Sequence, residues 1–229
     1  MTAADTAPAA GPPEGLRPAV LGLVAIGRVI LGHSAVTLVD LAERDQVQVR
    51  ELPGQPGGDW ELSRAPGNGH AGLPPFEAAF LGALLDEHGS CLSQLTGRLE
   101  PAIQRFRHSL VHEAVSHGWF GHLDHDRRAP EGDQLAGQIM RFRAGLRRKV
   151  AGGADAVASQ LPYALLFGLL PDTRLPLARF AHSWALACSQ VPALRPAGPE
   201  RPVHDEIDFP KDEWRGMSLG LAAAWASGI

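Results

Sequence analysis

The chain has 229 residues, of which 45% are hydrophobic and 20% charged, a composition typical of a globular protein with one large domain or two small ones. Its formal net charge of −4 argues against a chain built as a whole to bind nucleic acid or an anionic membrane, because both favour a basic surface. Its two cysteines, Cys91 and Cys188, lie far apart without a CxxC spacing, which indicates free thiols in a reducing cytoplasm.

Three apolar stretches invite comparison with a membrane span, which needs roughly 20 consecutive apolar residues. Residues 16–32 carry two arginines, residues 156–171 are interrupted by Pro162, and residues 216–229 are too few. Residues 1–15 lack the basic start of a secretory signal, and we expect them to be disordered. We therefore predict a soluble, cytoplasmic protein.

Residues 16–66 have the order of elements found in a winged helix, namely two helices followed by two strands. Period-two alternation indicates the strands, and apolar spacing of three to four residues indicates the helices. Ser34 has the side chain of a good N-cap for the second helix. The predicted elements are a helix over 16–31, a helix over 34–45, and strands over 46–52 and 59–64 joined by a Pro- and Gly-rich turn.

Residues 73–122 repeat this order with a reduced wing. Prolines open the first helix, and a long second helix has an apolar stripe with helical spacing. The predicted elements are a helix over 73–89, a connector over 90–95, a helix over 99–118 and an edge strand over 118–120.

The remainder of the chain predicts a polar linker and a helical subdomain. Within it, the uncharged stretch SQLPYALLFGLLP (159–171) reads as a buried helix opened by Pro162 and anchored by a hydrogen bond from the Tyr163 hydroxyl. The predicted fold is mostly α with small β wings, with two winged-helix-like units and a C-terminal helical subdomain. Its parts after the second unit are a linker over 123–134, a subdomain over 135–190 with helices over 135–151 and 175–190, and a Pro-rich tail over 191–229 with a short terminal helix.

These units, followed by RFRAGLRRKV and LPYALLFGL, resemble the C-terminal cytoplasmic region of the YciQ-like predicted membrane proteins, a bacterial family of unknown function. The resemblance covers about residues 16–190. Family members usually carry an extracellular domain and transmembrane helices, which this chain lacks, and the resemblance implies no catalytic residues. The matching stretches are AVTLVDLAERDQVQVREL (35–52), LPPFEAAFLGALLDEHG (73–89), HGWF (117–120), and Leu161, Pro162, Tyr163 and Ala164 with Gly168.

Half of the ten histidines lie within residues 108–125. His108 and His112 share a helix face, as zinc ligands can. The HExxH motif of metalloproteases is absent, because His112 and Glu113 are followed by His117, one residue too far. We interpret the cluster as a solvated face, and a metal-dependent enzyme with His108 and His112 as ligands is the third functional hypothesis.

The strongest charge feature is a basic run in the predicted helix 135–151. Such a run can bind phosphate, anionic lipid or an acidic protein, and it is also typical of a solvated helix face. We take it as the candidate partner-binding surface. Its residues are Arg141, Arg143, Arg147, Arg148 and Lys149.

A winged helix can also bind DNA by placing a recognition helix in the major groove. The candidate helix over 34–45 has three acidic residues against Arg44, which is unfavourable for binding a polyanion. The long helix of the second unit offers Arg98, Arg105 and Arg107 alongside two glutamates. A DNA-binding transcriptional regulator is therefore the alternative hypothesis.

Motifs of nucleophilic catalysis and of phosphate binding are absent, since the chain has no GxSxG, GxxxxGK[ST] or GxGxxG sequence that follows a strand. The sequence therefore favours a non-catalytic interaction or scaffolding module. We expect it to use no cofactor and to bind a protein partner that is acidic or membrane-bound.

Overall fold

The computed structural model describes residues 11–53, 59–66, 72–121, 127–170 and 175–194. These residues are mostly helical with a small three-stranded antiparallel sheet, so the predicted fold class is confirmed. The helices are α1 (Pro18–Ile26), α2 (Leu31–Glu43), α3 (Pro75–Leu84), α4 (Thr96–Ser116), α5 (Pro130–Val150), α6 (Leu161–Leu166) and α7 (Pro176–Ser189). The strands are β1 (Val47–Leu52), β2 (Asp59–Arg64) and β3 (Ser90–Cys91), and 3₁₀ turns lie at Pro13–Gly15, Leu92–Gln94, Ala154–Gln160 and Pro192–Leu194.

The break between the first two helices lies earlier than predicted. α1 ends where Gly27 adopts a left-handed backbone (φ 82°). α2 begins at Leu31, so the predicted N-cap role of Ser34 is wrong: its hydroxyl lies inside the first turn and donates to the Leu31 carbonyl oxygen at 2.7 Å. Nδ1 of His33 accepts instead from the backbone N–H of Ile30 at 3.4 Å, which satisfies a donor at the helix start.

The sheet joins strands from both predicted units. β1 pairs with β2 from Val47 opposite Arg64 to Leu52 opposite Asp59, and β3 pairs with the other edge of β2. The turn predicted over 53–58 lies mostly outside the described residues. The second unit therefore contributes a strand to the sheet of the first.

Helix α7 packs against this sheet through aromatic and polar contacts. The ring of Trp60 lies edge-on to that of Phe180, with 5.5 Å between centroids. Nε1 of Trp60 donates to the hydroxyl of Ser183 at 3.0 Å, and Arg179 forms an ion pair with Glu51 at 2.7 Å. The predicted C-terminal subdomain is therefore attached directly to the sheet.

Several boundaries of the second unit differ from the prediction. α3 ends at Leu84 rather than at 89, because Leu85 has an extended backbone and Gly89 a left-handed one (φ 76°). α4 begins at Thr96 rather than at 99. The edge strand predicted over 118–120 is reduced to a single antiparallel bridge between Phe120 and Arg128.

α5 begins at Pro130, inside the predicted linker, rather than at 135. Proline suits the first turn of a helix, where a missing N–H costs nothing. Gly132 lets the helix approach the preceding chain, because a Cβ there would clash with the carbonyl oxygen of Trp119. Arg128 ties this start to α1, since its Nη1 donates to the carbonyl oxygens of Val24 (2.9 Å) and Ala25 (3.1 Å).

The stretch 159–171 contains the predicted buried helix. α6 starts at Leu161 with Pro162 in its first turn, and both residues are buried. The Tyr163 hydroxyl donates to the carbonyl oxygen of Leu16 at 2.7 Å, so the predicted anchoring hydrogen bond is confirmed. Its ring packs edge-on against Phe142, with 5.5 Å between centroids. Tyr163 thus fastens the chain before α1 to α6.

One continuous cluster of buried hydrophobic side chains includes residues of every α-helix in the described ranges. α2 lies at its centre, in contact with α1, α4, α6 and α7. Every residue from Leu31 to Leu41 is buried. Both predicted units and the predicted subdomain therefore pack around one helix. None of the described helices has the length and hydropathy needed to cross a bilayer.

We predict that Tyr163→Phe lowers the free energy of unfolding by about 1 kcal/mol, because it removes one partly buried hydrogen bond and keeps the ring. Tyr163→Leu should cost clearly more, since it also removes the packing on Phe142. Urea denaturation followed by circular dichroism measures both changes. Equal stability of Tyr163→Phe and the unmodified chain would show that the hydroxyl does not anchor α6.

Candidate functional site

Helix α5 carries the predicted partner-binding residues and is amphipathic. Its apolar side chains, among them Ile139, Phe142 and Leu146, are buried in the core. Its first turn is acidic and its last turn is basic, the distribution that the helix dipole favours. The basic residues therefore stabilise the end of the helix, whatever else they bind.

The structure divides the five predicted residues into two groups. Arg143 is only 8% exposed, because its spacing from Ile139 and Leu146 places it on the core side of the helix. It does not belong to the surface with the others, which corrects the predicted set. The other four are exposed and are called the basic surface below: Arg141, Arg147, Arg148 and Lys149.

Three arginines of the basic surface differ from the arginines that form ion pairs elsewhere in the described residues. Within the described ranges, no carboxylate lies at ion-pair distance from Arg141, Arg147 or Arg148. Nζ of Lys149 donates to Oε1 of Gln160 at 3.2 Å. Ion pairs at 2.6–2.9 Å are formed elsewhere by Arg44, Arg50, Arg98, Arg128 and Arg179.

The histidine-rich region does not form a metal site in the described part of the chain. His108 and His112 are exposed on α4, and the described residues contain no group of three side chains able to hold a metal ion. His117 stacks on Trp119, with ring centroids 4.5 Å apart. His122 and His125 lie outside the described residues.

The candidate recognition helix of the first unit cannot enter a DNA groove. α2 is buried along most of its length, with its polar side chains inside the protein. Arg44 is only partly exposed, and its guanidinium is engaged by Asp40 and Glu77. Among its described residues, the first predicted unit therefore offers no exposed helix of the kind that reads bases.

On α4, the three arginines of the DNA hypothesis have different surroundings. Arg98 pairs with Asp86 at 2.9 Å, whereas Arg105 is exposed. Arg107 is half-buried, and its charge adds to the effect of burial, which lowers the pKa of the interior His33. They do not form one uniform basic surface.

A partly buried ion-pair network was not predicted from the sequence. Nη2 of Arg44 donates to both carboxylate oxygens of Glu77, at 2.7 and 2.8 Å, and lies 2.8 Å from the carboxylate of Asp40. Nε of Arg17 is 3.8 Å from Glu77. Burial raises the pKa of both carboxyls, and Arg44 opposes this rise. The i,i+4 spacing of Asp40 and Arg44 signals their pairing, but Glu77 is too far along the chain to be inferred.

A second interior polar group surrounds His33 at the start of α2. The Ser34 hydroxyl accepts a hydrogen bond from Nε1 of Trp184 at 3.0 Å. Nε2 of His33 is buried without a hydrogen-bond partner among the described residues, and a Cβ on Gly22 would lie 2.5 Å from it. Burial, and then the charge of Arg107, lower the pKa of His33 to about 3. The ring is therefore neutral at physiological pH.

The buried cysteine has no catalytic character. Burial raises the pKa of the Cys188 thiol to about 12, although Arg107 opposes the rise. The nucleophilic form of cysteine is the thiolate, so this side chain stays protonated and inert.

Comparison with known proteins adds no relative. No protein-family model, no curated protein and no solved structure matches the chain.

We predict that His33→Asn makes stability less sensitive to acid. In the unfolded chain His33 binds a proton below about pH 6.5, whereas in the folded chain it stays neutral down to about pH 3. The unfolded state therefore takes up more protons in this window, and stability falls as the pH drops from 6.5 towards 3. At pH 7 the variant should have a lower free energy of unfolding than the unmodified chain, because it loses packing. This difference in free energy should shrink by up to about 1.4 kcal/mol per pH unit below pH 6.5.

Urea denaturation at several pH values between 7 and 4 measures this difference. His108→Asn is the matched control, because His108 is exposed on α4. If the difference in free energy of unfolding between His33→Asn and the unmodified chain stays constant with pH, His33 is not buried in a neutral state.

Proposed function

We propose that the protein is a non-catalytic interaction module that binds an acidic protein partner through the basic surface of α5. The proposal rests on one observation: Arg141, Arg147 and Arg148 are exposed without a carboxylate partner within the described ranges, in a chain whose net charge is negative. Exposed positive charge of this kind attracts an acidic surface and accelerates its association.

The shape of the basic surface favours a macromolecular partner. Its charged groups lie on the exposed side of α5, from Arg141 to Lys149, over about 12 Å along the axis. They do not converge on one point as the donors of a small-anion site do. We place the protein in the cytoplasm, where the YciQ-like region that it resembles lies, with a partner that is bound to the membrane.

The two other hypotheses have less support. For DNA binding, the observation in favour is the exposed Arg105 on α4, but α2 is buried and Arg98 is paired. For a metal-dependent enzyme, His108 and His112 have no third ligand within the described residues. In neither case are the candidate side chains brought together at one binding site within the described residues.

Charge reversal on the basic surface should abolish partner binding. A photo-reactive amino acid at Ala144, which is exposed between Arg141 and Arg147, should form specific crosslinks in cells. In the variant Arg147→Glu/Arg148→Glu these crosslinks should be lost, and binding of the isolated partner should weaken by at least about tenfold, or about 1.4 kcal/mol. Two attractive contacts would have become repulsive ones.

The matched control is Arg98→Glu/Arg105→Glu, which changes the net charge equally on another helix. It should leave the crosslinks from Ala144 unchanged. It also tests the alternative, because DNA binding would weaken in this control and show a steep dependence on salt. Crosslinks that persist in Arg147→Glu/Arg148→Glu would contradict the proposed function.

A further inference from the structure

The chain contains a segment whose charge complements the basic surface. Residues 205–213, DEIDFPKDE, hold five carboxylates and one lysine, a net charge of −4. No other window of nine residues in the chain is as negative. The segment lies beyond Leu194, where the described residues end. We call it the acidic segment.

We infer that the acidic segment binds the basic surface of α5 in the same molecule and competes there with the partner. The inference rests on the proposed function in so far as it names the regulation of that surface. The acidic segment and the basic surface carry equal and opposite charges, −4 and +4. At the surface itself, the described part of the chain supplies no carboxylate to Arg141, Arg147 or Arg148.

The charges on the acidic segment and those on the basic surface have compatible spacings. Arg141 and Arg148 are seven positions apart on α5, which is two helical turns and about 10 Å on one face of the helix. In an extended chain, Asp205 and Asp208 are three positions apart and span about 10 Å. A short piece of the acidic segment can therefore meet both arginines.

The chain is long enough to bring the two together. Asp205 follows Leu194 by 11 positions and Asp212 follows it by 18. At about 3.3 Å per residue, these tethers reach about 36 Å and about 60 Å. A globular chain of this size has a diameter of about 40 Å. The acidic segment can reach α5 although α7, which precedes it, packs on α2, whereas α5 packs on α1 and α6.

Because the acidic segment belongs to the same molecule as the basic surface, even a weak contact is sufficient for the two to bind. Exposed ion pairs contribute little each, so the acidic segment added as a free peptide would bind poorly. A tether of this length holds it at an effective concentration in the millimolar range. A contact of that strength is released by a partner that binds more tightly, as a competitive regulator requires.

Paramagnetic relaxation in the full-length protein tests the contact. A nitroxide is attached to Ile207→Cys in a Cys91→Ser background, since Cys188 is buried and unreactive. At low salt we expect selective broadening of the amide signals of residues 141–149. The broadening should vanish at about 1 M salt, where the Debye length is about 3 Å, and in Arg147→Glu/Arg148→Glu.

The matched control carries the same label but a neutral segment, Asp205→Asn/Glu206→Gln/Asp208→Asn/Asp212→Asn/Glu213→Gln. It should show no selective broadening on α5. Broadening that is equal in both proteins, that spreads evenly over the surface, or that arises only between a spin-labelled copy and a second isotope-labelled copy would overturn the inference.

Crosslinking from Ala144 separates this inference from the proposed function. If both hold, the neutral-segment variant should crosslink to the partner at least about twofold more than the unmodified chain. Crosslinking without selective broadening would leave the proposed function standing and overturn the inference. Selective broadening without any crosslinked partner would support the contact and contradict the proposed function. Selective broadening together with equal crosslinking of the neutral-segment variant and the unmodified chain would show that the acidic segment does not compete with the partner.

Discussion

The ion pair between Arg44 and Glu77 is the contact on which the arrangement of the helices depends. Glu77 is fully buried in α3, and its charge would be costly there without the guanidinium that donates to both of its oxygens. Arg44 follows α2 directly and also pairs with Asp40, so the polar end of α2 is satisfied inside the protein. With its charges neutralised, α2 can lie at the centre of the core.

The central position of α2 determines which surfaces remain for binding. Because α2 is buried, the helix predicted to recognise DNA is not available, and only helices at the periphery can meet a partner. Of these, α4 presents mixed charge, with Arg98 neutralised by Asp86. The C-terminal half of α5 presents like charges, and within the described ranges no carboxylate lies at ion-pair distance from Arg141, Arg147 or Arg148. A partner selected by charge would therefore meet α5 first.

Features that depend on local chemistry could be predicted from the sequence, whereas contacts between residues distant in sequence could not. Pro162 opens α6 and the Tyr163 hydroxyl is bonded, because proline geometry and a half-buried phenol have few other solutions. The predicted start of α2 was wrong, because Gly27 ends α1 early and Ser34 then falls within the first turn of α2. The burial of Arg143 could have been read from its spacing to Ile139 and Leu146. The partnership of Arg44 with Glu77 could not, since 33 residues separate them.

A double-mutant cycle on Arg44 and Glu77 tests this account most directly. Arg44→Met alone should cost about 3 kcal/mol or more, because it leaves a buried carboxylate unpaired, and the double variant with Glu77→Met should cost less than the sum of the single changes. The exposed pair Arg50–Glu61, at 2.6 Å, is the control and should couple by less than about 1 kcal/mol. Additive losses at Arg44 and Glu77, within about 0.5 kcal/mol, would contradict the central role of this ion pair.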